Sequence, residues 1–342
     1  MRIPRGVTDR LQIAPEVAAA LASGAPVVAL ESTLISHGLP WPQNLEVATE
    51  SETAVRSAGA VPATVALHEG RILVGLDRAS LDALATAPAG SVRKAARPSV
   101  AAALRSGGWA ATTVSATMIA AHAAGIEVFA TGGIGGVHRG AIGPAATGTT
   151  VPTGTTVPPG PTVPTFDISS DLEELARTPV AVVCAGPKAI LDVAATIEYL
   201  ETRGVPVVAV GQDDLPGFFA RSAGIRAPET VPDVDAAAEL VGAHLGLGLG
   251  SGVLVCVPLP AVDALPDEVA RAAVERAVAE AHEARIGGPQ LTPWLLARIA
   301  QLTDGASIRA NTALIVNDAR VAGTLATRLA GRTRPPDAPR AS

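Results

Sequence analysis

The chain has 342 residues, 48% of them hydrophobic, which suffices for a large core arranged as one α/β domain or two smaller ones. A net charge of −6 argues against general binding of nucleic acid or anionic membrane, yet a phosphorylated small molecule needs only a local group of donors. The N-terminus, with Arg2, Arg5, Asp9 and Arg10, has no apolar stretch of signal-peptide length, so a cytoplasmic setting is expected.

In chain order, a helix is predicted over Ala14–Ser23, a strand over Pro26–Leu30, a helix over Asn44–Ala58 and a strand over Ala63–Leu67. A helix at Ser99–Ser106 and strands at Ala111–Val114 and Val128–Thr131 follow. The segment 142–164 is built almost wholly of Gly, Pro, Thr, Ala and Val without charge, and reads as an inserted flexible loop, an interdomain linker being the competing reading. Next come a predicted helix at Asp171–Arg177, a strand at Val180–Cys184, a helix at Ile190–Arg203 and a strand at Pro206–Val210. The uncharged stretch from Leu245 to Val262 carries Gly246, Gly248, Gly250, Gly252, Pro258 and Pro260, a poor membrane-spanning helix but a sensible glycine loop feeding a strand at Val253–Val257. Helices at Leu265–Glu283, Thr292–Thr303 and Asn311–Ala330 complete a single domain over 1–330, before an Arg/Pro-rich frayed tail, 331–342. Several strands are apolar at consecutive positions, as strands buried on both faces of a layered α/β protein should be. Cys184 and Cys256 lie within such runs and read as buried thiols of a reducing compartment.

Of 26 basic residues, 24 are arginine and two, Lys94 and Lys188, are lysine. Arginine stays protonated, whereas lysine can become a neutral amine, so the two lysines are candidates for positions where arginine would fail, chance or packing being the competing reading. Sites in open α/β sheets form beyond the carboxyl ends of strands. There the sequence places Glu31-Ser32-Thr33, the turn Gly132-Gly133-Ile134-Gly135-Gly136-Val137-His138-Arg139-Gly140, and Gly186-Pro187-Lys188. The glycine turn lacks the third glycine of a dinucleotide fingerprint; it reads as a close backbone approach or as a ligand-facing turn with His138 and Arg139 nearby. Lys188 is predicted in the first turn of a helix, where the macrodipole would help to neutralise its amine. Lys94 stands in a basic cluster that would also suit a solvated face. In Asp167-Ile168-Ser169-Ser170-Asp171-Leu172-Glu173, Ser170 and Glu173 fit a capping box, and a helix start with Asp167, Ser169 and Asp171 could combine phosphate donors with a hard-metal ligand.

These motifs resemble the pseudouridine-5′-phosphate glycosidase, or indigoidine synthase A-like, family. The likeness runs from Val28–Gly38 and Pro42–Asn44 through Ala111–Val114, Phe129–Gly140, Thr165–Leu172, Val183–Lys188 and Glu198–Thr202 to Thr292-Pro293. It implies a three-layer α/β/α fold with a mostly parallel or mixed central sheet, a homotrimer, and reversible cleavage of pseudouridine 5′-phosphate to uracil and ribose 5-phosphate with Mn2+. It further implies Lys188 as amine nucleophile, Glu31 as proton donor and Asp167 as metal ligand. Lys94, Val114, Ser169, Ser170, Asp171 and Asn311 fall at its substrate-binding positions. The expected partner is thus a phosphorylated nucleoside, neither nucleic acid nor membrane. Three features depart from the family pattern: the insertion after Ala141, Pro187 and Ala189 beside the lysine, and Asp318 where asparagine is common. Two alternatives use the same residues: a Schiff-base aldolase or lyase acting on another sugar phosphate, and a non-catalytic phosphonucleoside-binding protein.

Overall fold

The computed structural model describes residues 5–88, 90–142, 165–284, 286 and 291–333. Alternation of side chains along the buried strands decides its layering. In β2 (Val27–Leu30), Val27 and Ala29 enter one apolar cluster while Val28 and Leu30 enter another. The same division recurs in β7 (Val128–Ala130), β8 (Ala181–Cys184), β9 (Val207–Val210) and β11 (Val253–Cys256). Both faces of the sheet are therefore covered, which is why these strands read as continuous apolar runs.

The other strands are β1 (Leu11–Ile13), β3 (Val61–His68), β4 (Arg71–Val74), β5 (Arg93–Ala95), β6 (Ala110–Thr112) and β10 (Glu229–Val231). The sheet runs β1-β4-β3-β2-β7-β8-β11-β9-β10, with β6 on β3 and β5 on β6. Only the pairings of β3 with β4 and with β6 are antiparallel.

The helices are α1 (Arg5–Thr8), α2 (Pro15–Ser23), α3 (Gln43–Ser57), α4 (Arg78–Ala85), α5 (Val100–Ser106) and α6 (Val114–Ala124), followed by α7 (Ser170–Leu175) and α8 (Val193–Thr202). Then come α9 (Val234–Gly246), α10 (Asp267–Glu283), α11 (Leu291–Leu302) and α12 (Ala306–Thr333). One face of the sheet is covered by α2, α6, α7 and α8, the other by α3, α9 and α12. Helices α10 and α11 pack together with Ala185, Ile190 and Leu191, which places them beside the strand ends where chemistry is expected. Gly323 lets α12 cross α3 closely, since a Cβ there would lie 2.7 Å from Ala58 Cβ. No helix among the described residues is long and apolar enough to cross a membrane.

The predicted strands and helices are all present, with shifted ends that matter at four places. Val114 is not strand but the first residue of α6, entered through Thr113 in extended conformation. Lys188 does not lie in a helix: α8 starts at Val193, because Asp192 caps it by accepting from Ala195 N at 3.0 Å. The macrodipole argument for Lys188 therefore falls. The cap of α7 is Ser169, not Ser170, and Glu173 turns instead to Arg177, Arg203 and Tyr199. The supposed tail begins inside α12, which continues to Thr333, while 334–342 and residues 143–164 of the insertion lie outside the described residues. Both cysteines are free and buried.

Candidate active site

Two loops meet at the carboxyl ends of β7 and β8. Gly186, at a positive φ of 84° that favours glycine, turns the chain out of β8. Beyond it Lys188 N–H donates to Ile134 O at 3.1 Å, and Ile134 N–H donates to Gly186 O at 3.2 Å, so the lysine loop runs alongside the glycine turn. That closeness explains the glycines. A Cβ on Gly133 would lie 2.6 Å from Phe218 Cε2, one on Gly135 2.3 Å from Ser169 Oγ, and one on Gly136 2.4 Å from Thr196 Oγ1. The turn is a close approach that also faces the site through Gly135 and His138; Arg139 points to a different groove.

A cleft of about 170 Å3 opens there. Glu31, Lys94, Val114, His138, Ser169, Ser170, Asp171 and Lys188 all line it, so eight residues from six chain segments converge as expected. Asp167 and Asn311 are not among its lining residues: Asp167 is exposed on the adjoining segment, and Asn311 lies in the first half of α12. Sequence reasoning passed over Thr33, Thr113 and Thr292, which also line the cleft. All three stood within the motifs that carry the family likeness, where a hydroxyl was the available signal.

The electrostatics follow from partial burial. Burial pushes the Glu31 carboxyl above the usual range, opposed by the Lys188 ammonium and by a short hydrogen bond from Thr131 Oγ1. Desolvation lowers the Lys94 pKa, helped by the neighbouring charge of Lys188 and opposed by Glu31 and Asp171. His138 is lowered by burial and by Lys188 against the pull of Asp167, which favours its neutral imidazole. Asp171 accepts from Ser115 N and Gly135 N, each at 2.9 Å, so its carboxylate ties three segments together rather than standing free. Beside it the hydroxyls of Thr113, Ser115 and Ser170 form a chain with contacts of 3.2 and 3.1 Å at the start of α6. Hydroxyls and first-turn amides of that kind suit an anionic oxygen.

A half-buried amine and a carboxyl whose pKa is raised share one cleft beyond the ends of a largely parallel sheet. This defines a layered α/β enzyme equipped for amine and acid–base chemistry on a small polar substrate. The chain belongs to the family described as Indigoidine synthase A like protein, whose profile matches residues 16–328. It is 50% identical over 320 residues to the pseudouridine-5′-phosphate glycosidase of Paracoccus denitrificans (strain Pd 1222), covering 94% of this chain and 98% of that protein. Identity to the protein of the same name from Solibacter usitatus (strain Ellin6076) is 49% over 319 residues, covering 93% and 99%. Among solved structures, the prealnumycin C-glycosynthase AlnA in complex with ribulose 5-phosphate superposes with a TM-score of 0.80 at 36% identity, covering 94% of this chain and 98% of that one. An indigoidine synthase A-like protein from Thermotoga maritima gives a TM-score of 0.77 at 29% identity, covering 94% and 96%.

Proposed function

We propose that this protein reversibly cleaves the C–C glycosidic bond of pseudouridine 5′-phosphate, yielding uracil and ribose 5-phosphate. The observation that carries the reading is the sharing of one cleft by Lys188 and by a Glu31 carboxyl whose pKa burial raises. The names of relatives near 50% identity support it, as does the sugar phosphate held by the C-glycosynthase.

A C–C bond to uracil C5 offers no easily departing nitrogen. The Lys188 amine attacks C1′, the C1′–O4′ bond breaks, and Glu31 passes its proton to O4′. Electrons from the lysine nitrogen then form the C1′ imine as the bond to uracil C5 breaks and C5 takes a proton. Water hydrolyses the imine and frees Lys188 with ribose 5-phosphate. Lys94, Ser169, Ser170 and the start of α6 at Val114 bind the phosphate end, Asp171 holds that wall in register, and His138 borders the sugar. Asn311 belongs to the substrate-binding set through the family likeness alone.

Among the described residues no three His, Cys, Asp or Glu side chains gather as a metal cage. The exposed carboxylate of Asp167 suits a hard divalent ion that keeps water and substrate oxygens as its other ligands. We place Mn2+ there, where it would supply positive charge to anchor substrate oxygens. One domain over 1–330, a homotrimer and a cytoplasmic setting complete the reading, supported by the family likeness.

The test is uracil release from pseudouridine 5′-phosphate with manganese added, compared with uridine 5′-phosphate. We expect turnover of the first and not of the second. Binding without uracil release would favour the non-catalytic alternative, and carbonyl chemistry on another sugar phosphate would favour the aldolase or lyase.

A further inference from the structure

A second cavity, of about 10 Å3, also touches Glu31. Its polar lining is Glu31, Ser51, Thr64 and Thr131, and the rest is apolar. That volume matches the roughly 10–15 Å3 a single water needs, and the polar groups meet its need for two to four partners. The three hydroxyl residues are 2–3% exposed. Thr131 Oγ1 donates to Glu31, Ser51 Oγ donates to Val47 O at 2.8 Å and keeps its lone pairs free, and Thr64 Oγ1 donates to Glu52 Oε1 at 2.5 Å. Glu52 stands on α3, half-buried, with Arg56, Arg78 and Glu16 around it. Groups with exchangeable protons thus stand on both sides of the cavity, Thr64 with Glu52 on one and Thr131 with Glu31 on the other.

We propose that Glu52, through Thr64 and one water in this cavity, returns to Glu31 the proton that Glu31 spends in each turnover. The inference rests on the reading of Glu31 as proton donor. When O4′ takes the Glu31 proton, a carboxylate remains that must be reprotonated, and until the sugar phosphate leaves, the ligand in the cleft screens it from solvent on that side. The cavity water then gives a proton to Glu31, Thr64 gives one to the water, and Glu52 gives one to Thr64 before recovering its own from solvent. Each step breaks one O–H bond and forms another. The Thr64–Glu52 contact simply reverses, the protonated carboxyl donating and the hydroxyl accepting. Burial, opposed by Thr64, Arg56 and Arg78, raises the pKa of Glu52, so it carries protons closer to neutral pH than a free carboxyl. Glu52 acts through Glu31 and is a positioning residue, not a catalytic one.

The experiment compares the first turnover, followed by rapid quench, with steady-state turnover in the full-length enzyme on pseudouridine 5′-phosphate. In Glu52→Gln the first turnover should match the parent, with kcat/KM unchanged, while steady-state kcat and KM fall together, about tenfold. Thr64→Val, which keeps shape and loses the hydroxyl, should behave the same, and Thr64→Ser should restore the parent rate. If Glu52→Gln and Thr64→Val leave steady-state turnover intact, the relay is absent. If both slow the first turnover as much as later ones, their role is structural and the proposal fails. Glu31→Gln separates the two levels: retention of its first turnover would remove Glu31 as proton donor, whatever the Glu52 variants do.

Discussion

Lys188 and Lys94 line the same cleft, and side-chain chemistry distinguishes what each can do. Lys188 is half-buried on a loop pinned by backbone bonds to Ile134, whereas Lys94, in the middle of the edge strand β5, is more exposed. The proposed nucleophile is the lysine on the pinned loop, whose backbone is held before substrate arrives. Lys188→Arg keeps the charge and a similar stem but cannot form an imine. Turnover should fall at least about a thousandfold, or ~4 kcal/mol of barrier, with the thermal midpoint preserved. Borohydride added during turnover should trap a ribose-phosphate adduct that maps by mass to Lys188. An adduct on Lys94 would exchange the two roles, and an active arginine variant without adduct would end the imine mechanism.

At the scale of elements, the glycine turn and the lysine loop act as one unit. Their mutual bonds, and the glycines that permit them, explain why Lys188 needs no helix to hold it. The insertion interrupts this unit between Ile142 and Thr165, yet Phe166 N–H donates to Ala141 O at 2.8 Å, so the flanking chain is already joined by a backbone bond. Replacing 143–164 with two or three residues should therefore leave the fold intact, since closure varies only slowly with length. Activity should change by less than about tenfold, equivalent to 1.4 kcal/mol. A shortened protein that melts like the parent but has lost all turnover would make the insertion part of the site.

At the scale of the molecule, α12 lies across β2, β7 and β8 and brings Asp318 into the interior without exposure. Neither of its oxygens finds a hydrogen bond of ordinary geometry. Burial drives its pKa well above the usual 3.8, the Cys184 thiol adds to the shift, and the Ala185 N–H only partly relieves it. A folded-state pKa above the unfolded one gives stability that is complete at pH below the unfolded value and declines as pH rises toward the folded value. Each pH unit in that window costs up to about 1.4 kcal/mol. Asp318→Asn cannot ionise, so its advantage in denaturant midpoint should be small near pH 4 and grow toward pH 8. Parallel pH curves for the variant and the parent would show that Asp318 does not titrate between the folded and unfolded states.

The seven central strands were legible in the sequence because burial on both faces demands consecutive apolar residues. The edge strands β5 and β10 were not, since Arg93-Lys94-Ala95 and Glu229-Thr230-Val231 have no apolar run to read, and the short β1 and β4 were also passed over. Helix α6 was missed and Val114 misplaced, because a helix buried nearly all round shows no amphipathic period. All ten proposed site residues were named from motif and family likeness, and eight of them line the cleft, as charged groups and glycines at strand ends keep their local spacing. Tertiary structure alone decided the rest. Asp171 proved a tie between segments 36 and 56 residues away in sequence, and the cavity joining Glu31 to Thr64 exists only where β2, β3 and α3 pack. Such contacts leave no local pattern, because they depend on distances between elements and not on the order of residues within one.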